Sequence, residues 1–141
     1  MKQEEIVEII YKVYPLISSD NNCNAKIEYY HNIYERLSGV KGMTGEVCAH
    51  AEYDWVKCKI YIYTSRMKNV EDIIRSLIHE CVHSTQSKLL FDIYYEFGYT
   101  YDTHPYEIKA RNAEENWKDY INYEFDEWMY NLGKKNGYTK Y

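Results

Sequence analysis

The chain has 141 residues, 45% of them hydrophobic and 28% charged, which is the composition of one soluble globular domain with a single core. The formal net charge of −5, with both signs interspersed, argues against a general nucleic-acid binder. No apolar run approaches the roughly 20 residues a membrane-spanning helix needs, and Met1-Lys2-Gln3-Glu4-Glu5 lacks the basic and apolar regions of a signal peptide, so a cytoplasmic protein with no membrane partner is expected. The 18 tyrosines beside few arginines resemble the output of an AT-rich coding genome, bacterial or phage, which admits a phage-infected cell or a virion as the setting.

Residues 3–17 place Ile6, Ile9, Ile10, Val13 and Leu16 at helical spacing and predict an amphipathic first helix, ended by Ser18-Ser19-Asp20-Asn21-Asn22. A second helix is expected over 25–38, with Ile27, Tyr30, Tyr34 and Leu37 on one stripe, followed by a loop punctuated by Gly39, Gly42 and Gly45. The pattern then changes to period two. Val47, Ala49, Ala51 and Tyr53 alternate with polar positions, as do Val56, Cys58, Ile60 and Ile62, which predicts a β-hairpin over 46–53 and 56–63 with one buried face. A two-residue turn at Asp54-Trp55 would set Cys58 opposite Ala51.

Asn69 is the expected N-cap of a helix of about five turns running to Leu90, with Glu71 and Asp72 suiting its dipole. Residues 91–104 read as an aromatic loop. Pro105 opens a last long helix that closes at Gly133. The expectation is therefore an α+β domain spanning 1–141, a small antiparallel hairpin packed on helices. The four cysteines, Cys23, Cys48, Cys58 and Cys81, show no CxxC spacing and read as free thiols.

The helix after Asn69 carries His79-Glu80-Cys81-Val82-His83, an HExxH motif. Residues four apart stack on one helical face, so both imidazoles can reach one metal ion, while Glu80 lies about 100° round the helix, beside the metal. Such short strings recur by chance, so position on the helix matters more. Counting about 100° per residue from Val70, the apolar Ile73, Ile74, Leu77, Ile78 and Cys81 span roughly −60° to +80°, whereas His79 and His83 fall near 180° and 220°, with Asp72, Ser76 and Gln86. The two histidines thus line a surface or a polar cleft, and Cys81 joins the core.

A catalytic zinc takes three protein ligands. Glu107, in the first turn of the last helix, is the leading candidate for the third, with Ala110 small enough to permit close helix packing; Glu114, on nearly the same stripe, is the fallback. Stabilisation of an oxyanion has several candidates: His104, Tyr106 and the loop tyrosines Tyr95, Tyr99 and Tyr101. His50 reads as an exposed strand histidine.

HECVH followed by Pro105-Tyr106-Glu107-Ile108-Lys109-Ala110-Arg111 resembles the gluzincin zinc metallopeptidases, in which a glutamate from the next helix completes the HExxH site. Glu107–Ala110 is similar to the ExxA pattern of short ImmA/IrrE-like peptidases, and the element order resembles the minigluzincins, a minimal zincin-like domain. The resemblance implies one Zn2+ per chain on His79, His83 and Glu107, Glu80 as the base that activates a zinc-bound water, and a peptide or protein substrate. It also implies a sheet edge that pairs with extended substrate. The contrasting expectation is a zinc-stabilised binding or structural module with a degenerate site, within a phage or cellular assembly.

Overall fold

A computed structural model describes residues 1–43, 45 and 49–136 of the chain. In chain order these form α1 (Gln3–Asp20), β1 (Lys26–Tyr30), α2 (Ile33–Ser38), β2 (Ala51–Asp54), β3 (Lys59–Tyr63), α3 (Val70–Ser84), α4 (Lys88–Glu96), α5 (Pro105–Ala113), a 3-10 segment (Glu114–Tyr120) and α6 (Tyr123–Asn136). The class is α+β, with helices around one three-stranded sheet of order β1-β3-β2. No helix among the described residues is long and apolar enough to cross a membrane.

The first helix forms on its isoleucine stripe. Ile6, Ile9, Ile10, Val13 and Ile17 are almost fully buried, and the helix packs on α3. Leu16 is instead 53% exposed, because Ile17 takes the inward position at the end of the stripe. The helix runs to Asp20, where the Asn21 side chain donates to the Ile17 carbonyl and Asn22 turns the chain at φ 51.

The stretch expected as a helix over 25–38 divides. Lys26–Tyr30 is strand β1, parallel to β3 with Ile27 opposite Ile60, and Asn32 then caps the short α2 by accepting from the Glu35 N–H. Its Ile and Tyr residues satisfy helix and strand periodicity equally over so short a span, and the exposed edge of β3 decides for strand. The sheet is consequently mixed and not the purely antiparallel hairpin expected.

The hairpin itself has a longer connection. Ala51 pairs with Ile62 and Asp54 with Lys59, which leaves a loop over 55–58 in place of a two-residue turn. Asp54 Oδ1 accepts from Val56 N and Lys57 N, both at 3.0 Å, and Cys58 closes the loop in the left-handed region at φ 54. Cys58 therefore has no partner in the β2–β3 ladder. Residues 46–48 of the expected first strand lie outside the described residues. Both faces of β3 are covered: Ile60 and Ile62 enter the core, and Tyr61 and Tyr63 on the other face lie beneath Arg36, whose Cζ stands 4.2 Å over the Tyr61 ring.

Asn69 caps α3 as expected, its side chain accepting from Asp72 N at 2.8 Å. The helix ends at Ser84 rather than Leu90. Ser87 starts a new helix by accepting from Leu90 N, so α4 occupies the first part of the expected aromatic loop and stops before Gly98 at φ 96. The expected last helix is in three pieces. Tyr120 donates to Asp20 Oδ2 at 2.7 Å and pins the 3-10 segment to the end of α1, and Asn122 then caps α6 by accepting from Phe125 N, which carries the helix past Gly133.

The core lies between α1, α3, the inner face of the sheet and the α5–α6 stretch, and Ile73, Ile74 and Leu77 at its centre have no exposure. Leu77→Ala removes packing on all sides, and urea unfolding should show a loss of about 3 kcal/mol. Asn69→Ala, which removes only a cap, should lose about 1 kcal/mol.

Candidate metal centre

On the face of α3 turned away from the core, the motif residues are withdrawn from solvent. His79 is 8% exposed, Glu80 7% and His83 4%, because β2 flanks one side of the helix and α5 crosses the other. Between them opens a cleft of about 1010 Å³, bordered by the 49–56 stretch, α3, α4 and α5. Among the described residues, His79, Glu80 and His83 form a buried group whose ligand atoms lie within 4.8 Å of one another and that can hold a metal ion.

A second carboxylate approaches the imidazoles more closely. Glu107 Oε1 lies 2.5 Å from His83 Nε2 and 3.6 Å from His79 Nε2, and the two Nε2 atoms are 3.0 Å apart. Ligands at about 2.0–2.1 Å from a tetrahedral ion stand roughly 3.3 Å from each other. The three atoms converge on one point, two of the three spacings being hydrogen-bond distances shorter than that value, and together they offer two imidazoles and one carboxylate to an ion. Ala110, one turn beyond Glu107, has no exposure and lets α5 lie close to α3.

The electrostatics point the same way. Burial pushes the His79 imidazolium down, but the carboxylates of Glu107 and Glu114 outweigh it and raise its pKa to about 10. Burial also pushes Glu107 up, yet its hydrogen bonds to His79 and His83 prevail and lower it to about 2. A positive charge at this point is strongly favoured, and in the metal-free protein a proton supplies it. Glu80 behaves differently. Burial raises it to about 7, with the His79 and His83 charges opposing and those of Glu107 and Glu52 adding.

The outer nitrogens are held as firmly as the inner ones. His79 Nδ1 lies 2.7 Å from Glu114 Oε2, and His83 Nδ1 lies 2.7 Å from Gln86 Oε1. The Gln86 amide is oriented by its Nε2 donating to the Tyr106 carbonyl at 3.2 Å, so its oxygen faces the imidazole and His83 Nδ1 carries the proton. The indole N–H of Trp55 donates to the Gln86 carbonyl at 3.2 Å and ties the β2–β3 loop to the same residue. With Nδ1 of each ring bonded outward, loss of the central proton would leave Nε2 of both histidines free for a metal.

Four of the residues singled out in the sequence, His79, Glu80, His83 and Glu107, come together. Glu114 does not join the convergence; its place on the 3-10 segment sets it against the outer nitrogen of His79, where it orients the ring. His104 is fully buried and both ring nitrogens are engaged, Nε2 donating to the Phe91 carbonyl at 2.9 Å and Nδ1 accepting from Tyr106 N at 3.0 Å, so it caps α5 and has no proton left for an oxyanion. Tyr106 packs on Tyr94 and His104, with ring centroids 5.6 and 5.9 Å away, and its ring does not line the cleft. Tyr101 and Arg111 line it instead, the guanidinium 4.6 Å over the Tyr101 ring and donating to the Tyr101 and Asp102 carbonyls. His50 is exposed at the cleft mouth. Gln86 sits on the histidine stripe of the helical wheel, which was the one available signal for it; nothing in the sequence points to Trp55.

No family model, curated protein or solved structure matches this chain. The chemistry of the site rests on its geometry.

Two outcomes follow for metal binding. Glu114→Ala leaves the three converging atoms in place but frees the His79 ring, and a chelator-competition titration with Zn2+ should show affinity weakened about 10–100-fold. With the His79 pKa raised by Glu107 and Glu114, metal binding competes with a proton at this ring. Affinity should therefore rise with pH through the neutral range, and calorimetry in buffers of different ionisation enthalpy should detect the released proton.

Proposed function

We propose that this protein is a zinc-dependent peptidase, with His79, His83 and Glu107 as metal ligands and Glu80 as general base. The observation that carries the reading is the convergence of His79 Nε2, His83 Nε2 and Glu107 Oε1 within 3.6 Å of one another at the wall of an open cleft, with the carboxylate of Glu80 beside them. Two imidazoles and a carboxylate form a donor set suited to zinc, and three protein ligands leave a coordination position open for chemistry.

A zinc ion bound there supplies Lewis acidity toward a carbonyl oxygen and makes water acidic enough to react near neutral pH. The chain supplies the rest. Glu80, buried and titrating near neutrality, takes the proton of the attacking water and passes it to the departing amine. Glu114 and Gln86 hold the two imidazoles in the tautomer that leaves Nε2 free. Among the described residues β2 is at the sheet edge, and Ala51–Asp54 border the cleft, so this edge suits an extended peptide added as a further strand. Trp55, beside His83 at a ring separation of 5.9 Å, gives that peptide an aromatic wall.

The test separates metal binding from turnover. Glu80→Gln should retain one zinc per chain by elemental mass spectrometry and lose at least about 10²-fold in cleavage of a fluorogenic peptide library. His83→Ala should lose the metal and the activity together. Wild-type protein that holds zinc stoichiometrically yet cleaves no member of the library would instead identify a zinc-stabilised binding module.

A further inference from the structure

Among the described residues, the arginine and lysine side chains that border the cleft are Arg36, Arg75, Lys88 and Arg111. The first three are matched by carboxylates. Arg36 reaches Glu52 at 2.9 Å, Arg75 reaches Glu71 at 2.8 Å, and Lys88 reaches Asp92 at 2.6 Å. Arg111 differs. No carboxylate of the described residues pairs with it, and its guanidinium donates to main chain alone, Nη1 to the Tyr101 carbonyl at 2.8 Å and Nη2 to the Asp102 carbonyl at 3.0 Å. Those bonds fix the group in place without neutralising its charge.

We infer that Arg111 anchors a carboxylate of the bound peptide, so that the preferred substrate carries a negative group one or two residues from the bond presented to His79, His83 and Glu107. The inference rests on the peptidase reading of that centre and names the class of peptide it takes. The carboxylate is the C terminus of a short peptide or the side chain of an Asp or Glu within a longer one. Either offers a guanidinium the same pair of oxygens.

Placement supports this in three ways. Arg111 follows Glu107 by four residues on α5, so the two share a helix face with Cβ atoms about 5–6 Å apart. An extended peptide advances about 3.3 Å per residue, so a group one or two residues from the converging ligand atoms covers a distance of that order. The guanidinium is also set in advance. It is half-buried, it lies 4.6 Å over the Tyr101 ring, and its two carbonyl bonds leave the rest of its N–H donors for a carboxylate. Little side-chain freedom remains to be lost on binding. Finally, the nearest acidic groups of the same wall are already engaged, Glu107 by the two imidazoles and Glu114 by His79 and Arg75. An incoming carboxylate therefore meets an unclaimed cation.

The experiment scores binding and not turnover. Dansyl-labelled tetrapeptide pools of otherwise neutral residues are titrated by fluorescence anisotropy into full-length zinc-loaded Glu80→Gln protein. One pool has a free C-terminal carboxylate, one a C-terminal amide, and one a C-terminal amide with a single Glu. At least one acidic pool should bind about 10-fold more tightly than the neutral pool, and which one does so identifies the source of the carboxylate. Arg111→Gln, which can still donate to the Tyr101 and Asp102 carbonyls but has no charge, should erase the difference, and Arg111→Lys should keep part of it. Equal affinity for the three pools overturns the inference without recourse to any Arg111 variant. An acidic preference undiminished in Arg111→Gln overturns it as well, because the metal then holds the carboxylate. Protein that binds acidic pools through Arg111 yet cleaves none of them as wild type would lose the peptidase reading and keep the anchor; wild type that cleaves all pools without regard to charge would do the reverse.

Discussion

Two carboxylates and two imidazoles buried within reach of one another make a site that is costly to fold without a positive charge at its centre. Glu80, Glu107, His79 and His83 are all less than 10% exposed. A buried carboxylate taken from water needs a compensating partner, and the raised His79 and lowered Glu107 pKa values are that requirement expressed as proton affinity. The remaining architecture is arranged to keep these groups together. Arg75 reaches Glu114 at 3.8 Å and Glu71 at 2.8 Å, Glu114 holds His79, and Gln86 holds His83.

The helix α3 is where stability and chemistry are joined. Its apolar stripe, from Val70 to Cys81, is locked against α1 and the sheet, so the opposite face is presented at a fixed height and angle. Rigid support from behind suits a turn that could hold a metal ion, since ligand positions must be held to fractions of an ångström. Gln86 is the point at which three neighbouring elements meet: the Trp55 indole from the β2–β3 loop, the His83 ring from α3 and the Tyr106 carbonyl from α5 all bond to it. Loop, helix and glutamate helix therefore shift together or not at all.

Tyrosine does much of the work that Leu or Phe would do in another small domain. Its ring buries apolar area while its hydroxyl finds a polar partner. Tyr61 donates to Asp54, Tyr63 to Glu52 and Tyr120 to Asp20, and each bond ties one element to another or closes a turn. The outer face of the sheet is covered in this way, by Arg36 from α2, Glu52 and two tyrosine rings. A domain of this size thereby gains a covered central strand with little additional chain.

The sequence by itself determined what depends on local spacing. The isoleucine stripe of α1, the Asn69 cap, the start of α5 at Pro105, the α+β class and the opposition of His79 and His83 to the core stripe all follow from periodicities within a single element. Glu107 and Glu114 were both candidates by spacing, and the family resemblance favoured Glu107. Tertiary structure alone decided the points where two propensities were nearly equal or where long-range bonds intervene. Lys26–Tyr30 became a strand because β3 offered it an edge. The helix after Asn69 stopped at Ser84 and restarted at Ser87. The last helix broke where Tyr120 found Asp20, one hundred residues earlier in the chain. His104, Tyr106 and Glu114 could be named from sequence but not assigned, since a side chain's role depends on which of its atoms meets which neighbour, and those neighbours are set by packing between elements.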